Sequence, residues 1–339
     1  MNGPLPSPAD SSGAGVRTLL FDADGPDRHV PLAELQLSHL SQRTLAWVDV
    51  RPSEIARIDD VLAQLQAPAL PLADLLEPRS SPLLSQDEWF AARAIAPRLG
   101  DDGVTCHGEP WLLVVGPNIV LTVHRGELAF LDELYGNDDP LSHVGMLDAD
   151  SFAAALLDRM LTAFFDAIDG FEKHLDALEV RILEPRVRAA YLRDLRVLRR
   201  SVSILRRLLS AQRSLFDALA RPDFRPEQDE AVARRFLAVS VRYERVVDSV
   251  ENARDLVVGT FELLATRLSQ RTNESMRVLT FYTVLIGSLA VVAGVLGMNF
   301  KAPLFAAGAS GFWSVVAGMV VVVLVAMWVG HRKGWLKSG

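Results

Sequence analysis

Residues 278–300 read VLTFYTVLIGSLAVVAGVLGMNF, an uncharged run of 23 residues between Arg277 and Lys301. A helix rising 1.5 Å per residue needs about 20 apolar residues to cross the hydrocarbon of a bilayer. The run therefore predicts a transmembrane helix. A second uncharged run, Ala302 to Gly330, holds a shorter apolar core from Phe312 to Val329, FWSVVAGMVVVVLVAMWV. A Gly/Ala-rich turn from Ala306 to Gly311 separates them. Two such runs in succession predict a membrane hairpin rather than buried helices of a soluble core: a first span over 278–300, an outer loop over 301–311 and a second span over 312–330.

The flanking charge sets the orientation. Arg267, Arg271 and Arg277 precede the first span, Arg332, Lys333 and Lys337 follow the second, and the turn carries only Lys301. Short basic flanks stay inside, so both ends are expected in the cytoplasm, with a basic tail over 331–339, and the chain in the cytoplasmic membrane. Trp313, Trp328 and Trp335 fall where aromatic side chains meet the interfaces. Two helices from one chain cannot enclose a hydrated pore. A conduit would require several copies around an axis, closed cyclic symmetry being the usual solution.

Working outward from the spans, the average composition conceals a strong segregation. The chain has 339 residues, 50% of them hydrophobic, and a net charge of −7, yet residues 278–330 contain one charged side chain, Lys301. The charge is concentrated in residues 1–277, so a soluble body precedes the membrane part. From Glu227 to Asn299 there is no proline, and glycine is absent before Gly259. That stretch predicts one helix of about 70 residues, roughly 105 Å long, whose 227–277 portion is a stalk feeding the first span.

Before the stalk, residues 150–226 predict a helical pair. Ser151–Leu183 repeats apolar residues at three and four spacing and ends at Pro185, and Val187–Leu219 ends at the linker 221–226. Arg199, Arg200, Arg206 and Arg207 crowd the second helix. Without interleaved aromatics or a binding module they read as a solvated or salt-bridged face, not a nucleic-acid surface. Residues 16–149 predict a mixed α/β domain. Its strands are Arg17–Phe21, Leu45–Val50, Trp89–Ala96, Trp111–Val115 and Ile119–His124, with a hairpin at Gly116-Pro117-Asn118. A helix is expected over Pro52–Gln66 with Ser53 as its cap. Residues 1–15 read as a disordered leader with no signal peptide, so the soluble part is expected to stay where it is made. A single cysteine, Cys106, allows no intrachain disulfide, and its neighbour His107 finds no spacing pattern that completes a zinc site.

Within the first span and its approach, Asn273, Met276, Thr280, Thr283, Gly287, Val291 and Gly294 follow three-and-four spacing and share one helix face. That face is small or weakly polar. It suits the lining of a pore, or alternatively close helix-on-helix packing.

The first span ends in Gly297-Met298-Asn299-Phe300, after a long cytoplasmic helix and before a short loop, one more span and a basic tail. Asn273-Glu274, Met276, Val278, Leu279 and Thr280 upstream, and Gly334-Trp335-Leu336 at the close, strengthen the pattern. In these features the chain resembles the CorA/ZntB family of divalent-cation transporters, whose signature is Gly-Met-Asn. The resemblance implies a homopentameric funnel: an α+β cytoplasmic domain, a long helical stalk and a two-helix hairpin whose first span lines the pore. It implies a ring of Asn299 carboxamides at the outer mouth, with Gly297 carbonyls and Met298 beside it, holding the cation. Mg²⁺ gives up water reluctantly, so amide oxygens would select its hydrated form. Met276 and Leu279 match a hydrophobic gate, Asn273 and Thr280 would offer further oxygens, and Glu262 would concentrate cations at the inner end. The passenger is Mg²⁺ or Zn²⁺, with Co²⁺ or Ni²⁺ as surrogates, and no cofactor is expected. Departures exist: Lys301-Ala302-Pro303-Leu304-Phe305 replaces an acidic outer loop, and Gly287 stands where some relatives carry methionine.

The partners expected are other copies of the chain, the bilayer and divalent cations. The competing reading is a membrane-anchored helical scaffold or signalling protein without transport. An enzyme is disfavoured, since no nucleotide loop or nucleophile–base pair is present.

Overall fold

The computed structural model describes residues 15–22, 24–35, 37, 40, 43–75, 77, 81–136, 148–184, 190–224, 230–298 and 308–333. Asn299, Lys301, Pro185, most of the leader and the tail from Gly334 lie outside the described residues. The chain forms two units, one comprising residues up to Asp176 with Leu192–Val258, the other Ala177–Tyr191 with Gly259 onward.

The first unit is built on a seven-stranded sheet: β1 (Val16–Asp22), β2 (Arg28–His29), β3 (Thr44–Val50), β4 (Leu83–Gln86), β5 (Trp89–Leu99), β6 (Cys106–Gly116) and β7 (Ile119–His124). The spatial order is β2-β1-β3-β7-β6-β5-β4. Only β3 and β7 run parallel, and the remaining neighbours are antiparallel. The five predicted strands are present, and β2 and β4 are additions. Both are short, β2 with two exposed residues and β4 with none buried. Edge strands of that size carry too little apolar alternation to register in a sequence.

Strand alternation distributes the core over both faces. Ala46, Val48 and Val50 of β3 join Ile58, Val61 and Leu62 of α1 (Ile58–Gln64) in one cluster. Leu45, Trp47 and Asp49 point the other way, where Trp47 packs on Phe152 with ring centroids 5.5 Å apart. Phe152 belongs to α4 (Ala149–Leu183), which follows α2 (Leu72–Leu75) and α3 (Ala129–Gly136). On the same side Trp111 donates its indole N–H to Met160 Sδ at 3.3 Å. The predicted helix over Pro52–Gln66 divides into a 3₁₀ segment, Pro52–Arg57, and α1. Ser53 is not its cap, because the preceding extended residue is Arg51 and no side chain caps the segment.

α5 (Ala190–Leu219) and α6 (Glu230–Gly297) complete the unit. Phe216 stacks on Tyr243 at 4.4 Å, and the Tyr243 hydroxyl donates to Leu209 O at 2.8 Å. Two of the α5 arginines face carboxylates seven residues apart on α6, Arg206 on Glu251 at 2.7 Å and Arg213 on Glu244 at 3.3 Å. Of the four arginines that the sequence singles out on this helix, the salt-bridged reading holds for Arg206.

Asp49 is the one acidic residue in the fully buried stretch of β3, and its side chain is 1% exposed. Arg17 reaches one carboxylate oxygen at 2.6 Å, and the Thr122 hydroxyl donates to the other at 2.6 Å. His124 Nε2 lies 3.2 Å from that second oxygen but outside hydrogen-bond alignment, so the contact is an ion pair when the imidazole is protonated. Arg17 continues to Asp132 at 2.7 Å and lies over the Tyr135 ring at 4.4 Å, fastening α3 to the sheet.

In the second unit α6 continues without a break to Gly297, 68 residues from Glu230, as the proline-free stretch predicts. Thr260 donates to Glu179 Oε1 at 2.6 Å, and Arg181 lies over the Tyr191 ring at 5.0 Å. α7 (Ala309–Arg332) is the second apolar helix. It begins before Phe312, so residues 309–311 are helical rather than part of the turn. Both α6 and α7 contain a stretch long and apolar enough to cross a membrane.

Candidate functional site

The candidate site is the carboxyl-terminal third of α6, and its geometry follows from successive residues turning by about 100°. Val278, Phe281, Leu285, Leu289 and Leu296 are half-buried while their neighbours are exposed. On an ideal helix these five fall in one arc of about 80°. Asn273, Met276, Thr280, Thr283, Gly287, Val291 and Gly294 fall in a second arc of the same width, centred about 160° from the first. Every member of this second arc is exposed. The small and weakly polar face is among the surfaces that a single chain leaves open, together with Val284, Ile286 and Val295, while a bulky apolar stripe is partly covered.

The glycines sharpen the contrast. A Cβ placed on Gly287, Gly294 or Gly297 would meet nothing within 4 Å. Packing inside one chain therefore does not require them, and the helix-glue reading is left only with contacts from outside the chain. Thr283 donates its hydroxyl to Leu279 O at 2.9 Å, which satisfies the proton and leaves its oxygen facing outward. Met276 is 61% exposed and Val291 67% exposed, so neither anchors the helix within the chain.

Not every proposed site residue joins this face. Leu279 is 67% exposed but points about a quarter turn away from the arc's centre. Gly297 is the last helical residue and lies at a similar angle off the face. Its φ is not left-handed, since the positive-φ glycines among the described residues are Gly103 and Gly308. Met298 closes the helix end with its N–H on Val295 O at 3.3 Å and is 52% exposed. Glu262 is exposed, three turns before Asn273, and projects onto the same side of α6 as the small face. Asn299 is outside the described residues.

Among the described residues, other chemistry-bearing groups do not form a competing metal site. Among the described residues no three His, Cys, Asp or Glu side chains gather as metal ligands. Cys106 is buried, its backbone N–H donates to Ser201 Oγ at 3.2 Å, and burial pushes its thiol up to about 12. It serves the core of the sheet. The Asp49–His124–Arg17 group was not singled out by sequence reasoning. Its signal was a lone acid in the apolar run Leu45–Val50, which periodicity alone treats as a neutral interruption.

Comparison with known proteins sets this geometry in context. The family model described as "CorA-like Mg2+ transporter protein" matches residues 42–332. The cobalt/magnesium transport protein CorA of Thermotoga maritima is 28% identical over 188 residues, covering 56% of this chain and 53% of that one. The match thus spans about half the length of that relative. The cobalt/magnesium transport protein CorA of Methanocaldococcus jannaschii is 20% identical over 299 residues, covering 86% of this chain and 92% of that one. The complete structure of the CorA magnesium transporter from M. jannaschii aligns with a TM-score of 0.73 at 18% identity, covering 94% of this chain and 98% of that one. At that identity the likeness speaks to the fold.

Proposed function

The chain belongs to the CorA-like Mg²⁺ transporter family, and from this premise we propose that it moves divalent metal cations across a membrane through a pore lined by α6. The observation that carries the reading is the opposition of the two arcs of that helix. A single chain partly covers the Val278–Leu296 stripe and leaves the Asn273–Gly294 face open. Rotational symmetry would bring the open face of each copy to a common axis.

Such a lining suits a hydrated ion. Gly287 and Gly294 remove bulk where a shell of waters must pass, and Thr280 and Thr283 present oxygens without fixed charge. Mg²⁺ holds its water tightly, so weak polar contacts to the shell move it with less cost than stripping it. Met276 stands near the cytoplasmic end of the face, about one turn after Asn273. A ring of its side chains, with Leu279 beside them, would close the pore by excluding water. At the other end the Gly297-Met298-Asn299 tripeptide would supply the carboxamide and carbonyl oxygens that meet the incoming ion. Glu262 would hold cations near the inner opening.

The subunit number consistent with the family resemblance is five. Both termini would be cytoplasmic, since basic residues flank the outer ends of the hairpin and none but Lys301 lies between the spans. No Asp, Glu or His lies between Val278 and Gly330, which favours passive flux over side-chain proton coupling. Mg²⁺, with Co²⁺ as its surrogate, is the passenger the relatives' names support, and Zn²⁺ is the comparison ion.

The test is ion influx into proteoliposomes with an indicator inside, comparing Mg²⁺, Co²⁺ and Zn²⁺ for the native chain and Asn299→Ala. Mg²⁺ influx that Asn299→Ala abolishes while the oligomer stays intact supports the pore. No influx of any of the three ions, where a known transporter works, points to a membrane-anchored scaffold instead.

A further inference from the structure

The positive residues at the cytoplasmic end of the hairpin are arranged by direction as well as by number. Arg271 lies about opposite the Asn273–Gly294 face on α6, and Arg277 about a quarter turn from it. Both are exposed, as are Arg332 and Lys333 where α7 ends. Neither arginine of α6 turns into the face along which cations would pass. Two crossings return the chain to the side where it started, so the end of α7 and the approach to the first span share one leaflet.

The depths agree. Arg277 directly precedes Val278, and Arg271 stands about 10 Å before it along the helix. The headgroup layer is about 6 Å thick on each side, and an arginine spans the remaining distance by extending its stem. Arg332 lies over the Trp328 ring at 5.2 Å from its centroid, and Trp328 is 60% exposed. A tryptophan at the end of an apolar helix, with a guanidinium on its face, has an apolar body for the acyl boundary and a cation for the headgroups. One carboxylate, Glu274, lies between Arg271 and Arg277 and is also exposed. The cluster keeps a net positive charge.

We propose that Arg271, Arg277, Arg332 and Lys333 form a binding surface for the phosphate headgroups of anionic phospholipids at the end of the hairpin where the first span begins and the second ends. Guanidinium and ammonium N–H groups donate to phosphate oxygens, and charge-assisted bonds of this kind are the strong ones. Lipid seated there would tie the start of the first span to the end of the second. The proposal rests on the two-span reading of α6 and α7.

The test uses the full chain carrying Trp313→Phe and Trp335→Phe. Trp328 is then the remaining tryptophan near the membrane, because Trp47, Trp89 and Trp111 are buried in the first unit. Its fluorescence is read in vesicles of phosphatidylcholine and phosphatidylglycerol, with brominated chains on one lipid or the other at equal mole fraction. The expected result is quenching by brominated phosphatidylglycerol about twofold above that by brominated phosphatidylcholine. The excess should vanish when Arg271, Arg277, Arg332 and Lys333 are all replaced by Gln. Equal quenching by the two lipids, or an excess that survives those replacements, overturns the proposal. Quenching by neither lipid removes the two-span reading itself and the proposal with it.

Discussion

Gly294 and Leu296 are two residues apart in α6 and point to nearly opposite sides of it. Gly294 is open, with room for a Cβ that would touch nothing, while Leu296 is half-buried. Two residues turn an ideal helix by about 200°, so adjacent positions serve different surroundings. One lies on the face proposed for ions, the other on the stripe that the chain covers.

Gly294→Leu should therefore leave the isolated chain unharmed, since the new side chain meets no neighbour there and leucine favours helix over glycine. Influx should fall by about tenfold or more, because several copies of the side chain would crowd one level of the pore. Gly287→Leu should behave alike. The measurement pairs proteoliposome flux with size-exclusion chromatography. Retained flux with an intact oligomer would place these glycines away from the ion path.

The Asp49–His124 contact makes a prediction about pH. Burial opposes the charge on Asp49, but the contact with His124, the charges of His124 and Arg17 and the hydrogen bond from Thr122 outweigh it and hold the carboxyl below its ordinary 3.8. Burial likewise opposes a charge on His124, yet Asp49 and the Gly126 carbonyl raise it above its ordinary 6.5. A depressed acid contributes stability that is present above pH 3.8 and lost as pH falls through its folded value. A raised histidine contributes stability that is full below pH 6.5 and lost as pH rises through its folded value. Thermal unfolding of the full chain in detergent should show a plateau between these limits and a decline on the alkaline side that His124→Gln removes. Asp49→Ala leaves Arg17 and His124 without their shared anion and should cost about 3–5 kcal/mol.

Gln212 extends a strand edge where β4 stops. Arg93 N–H donates to Pro82 O at 2.7 Å, just outside β4. Two residues further along β5, Gln212 takes over the same edge. Its Oε1 accepts from Ile95 N–H at 2.8 Å, and its Nε2 donates to Ile95 O at 3.0 Å. Gln212 is 1% exposed, so Gln212→Leu would strand two backbone groups away from water. The expected loss is about 1–3 kcal/mol in chemical denaturation. A change within a few tenths of a kcal/mol would mean that water replaces the amide.

The two long apolar helical segments, the long helix and the two-helix pair were legible because each is a long segment with a single period or none broken by proline. The core strands were legible from their apolar runs. β2 and β4 were not, since strands of two and four residues with none buried leave no pattern. Nor was the role of Gln212, whose partner Ile95 is far away in sequence.

Sequence by itself determined which residues share a face of α6, because a helix imposes its period whatever surrounds it. It also determined the charge asymmetry around the spans, which is a property of order along the chain. Only the tertiary structure decided which face is covered and which is open. The same holds for Asp49, which sequence presents as an interruption of β3 and structure as the shared anion of Arg17 and His124. Burial and pairing depend on what distant segments bring to a point, and no local period encodes that.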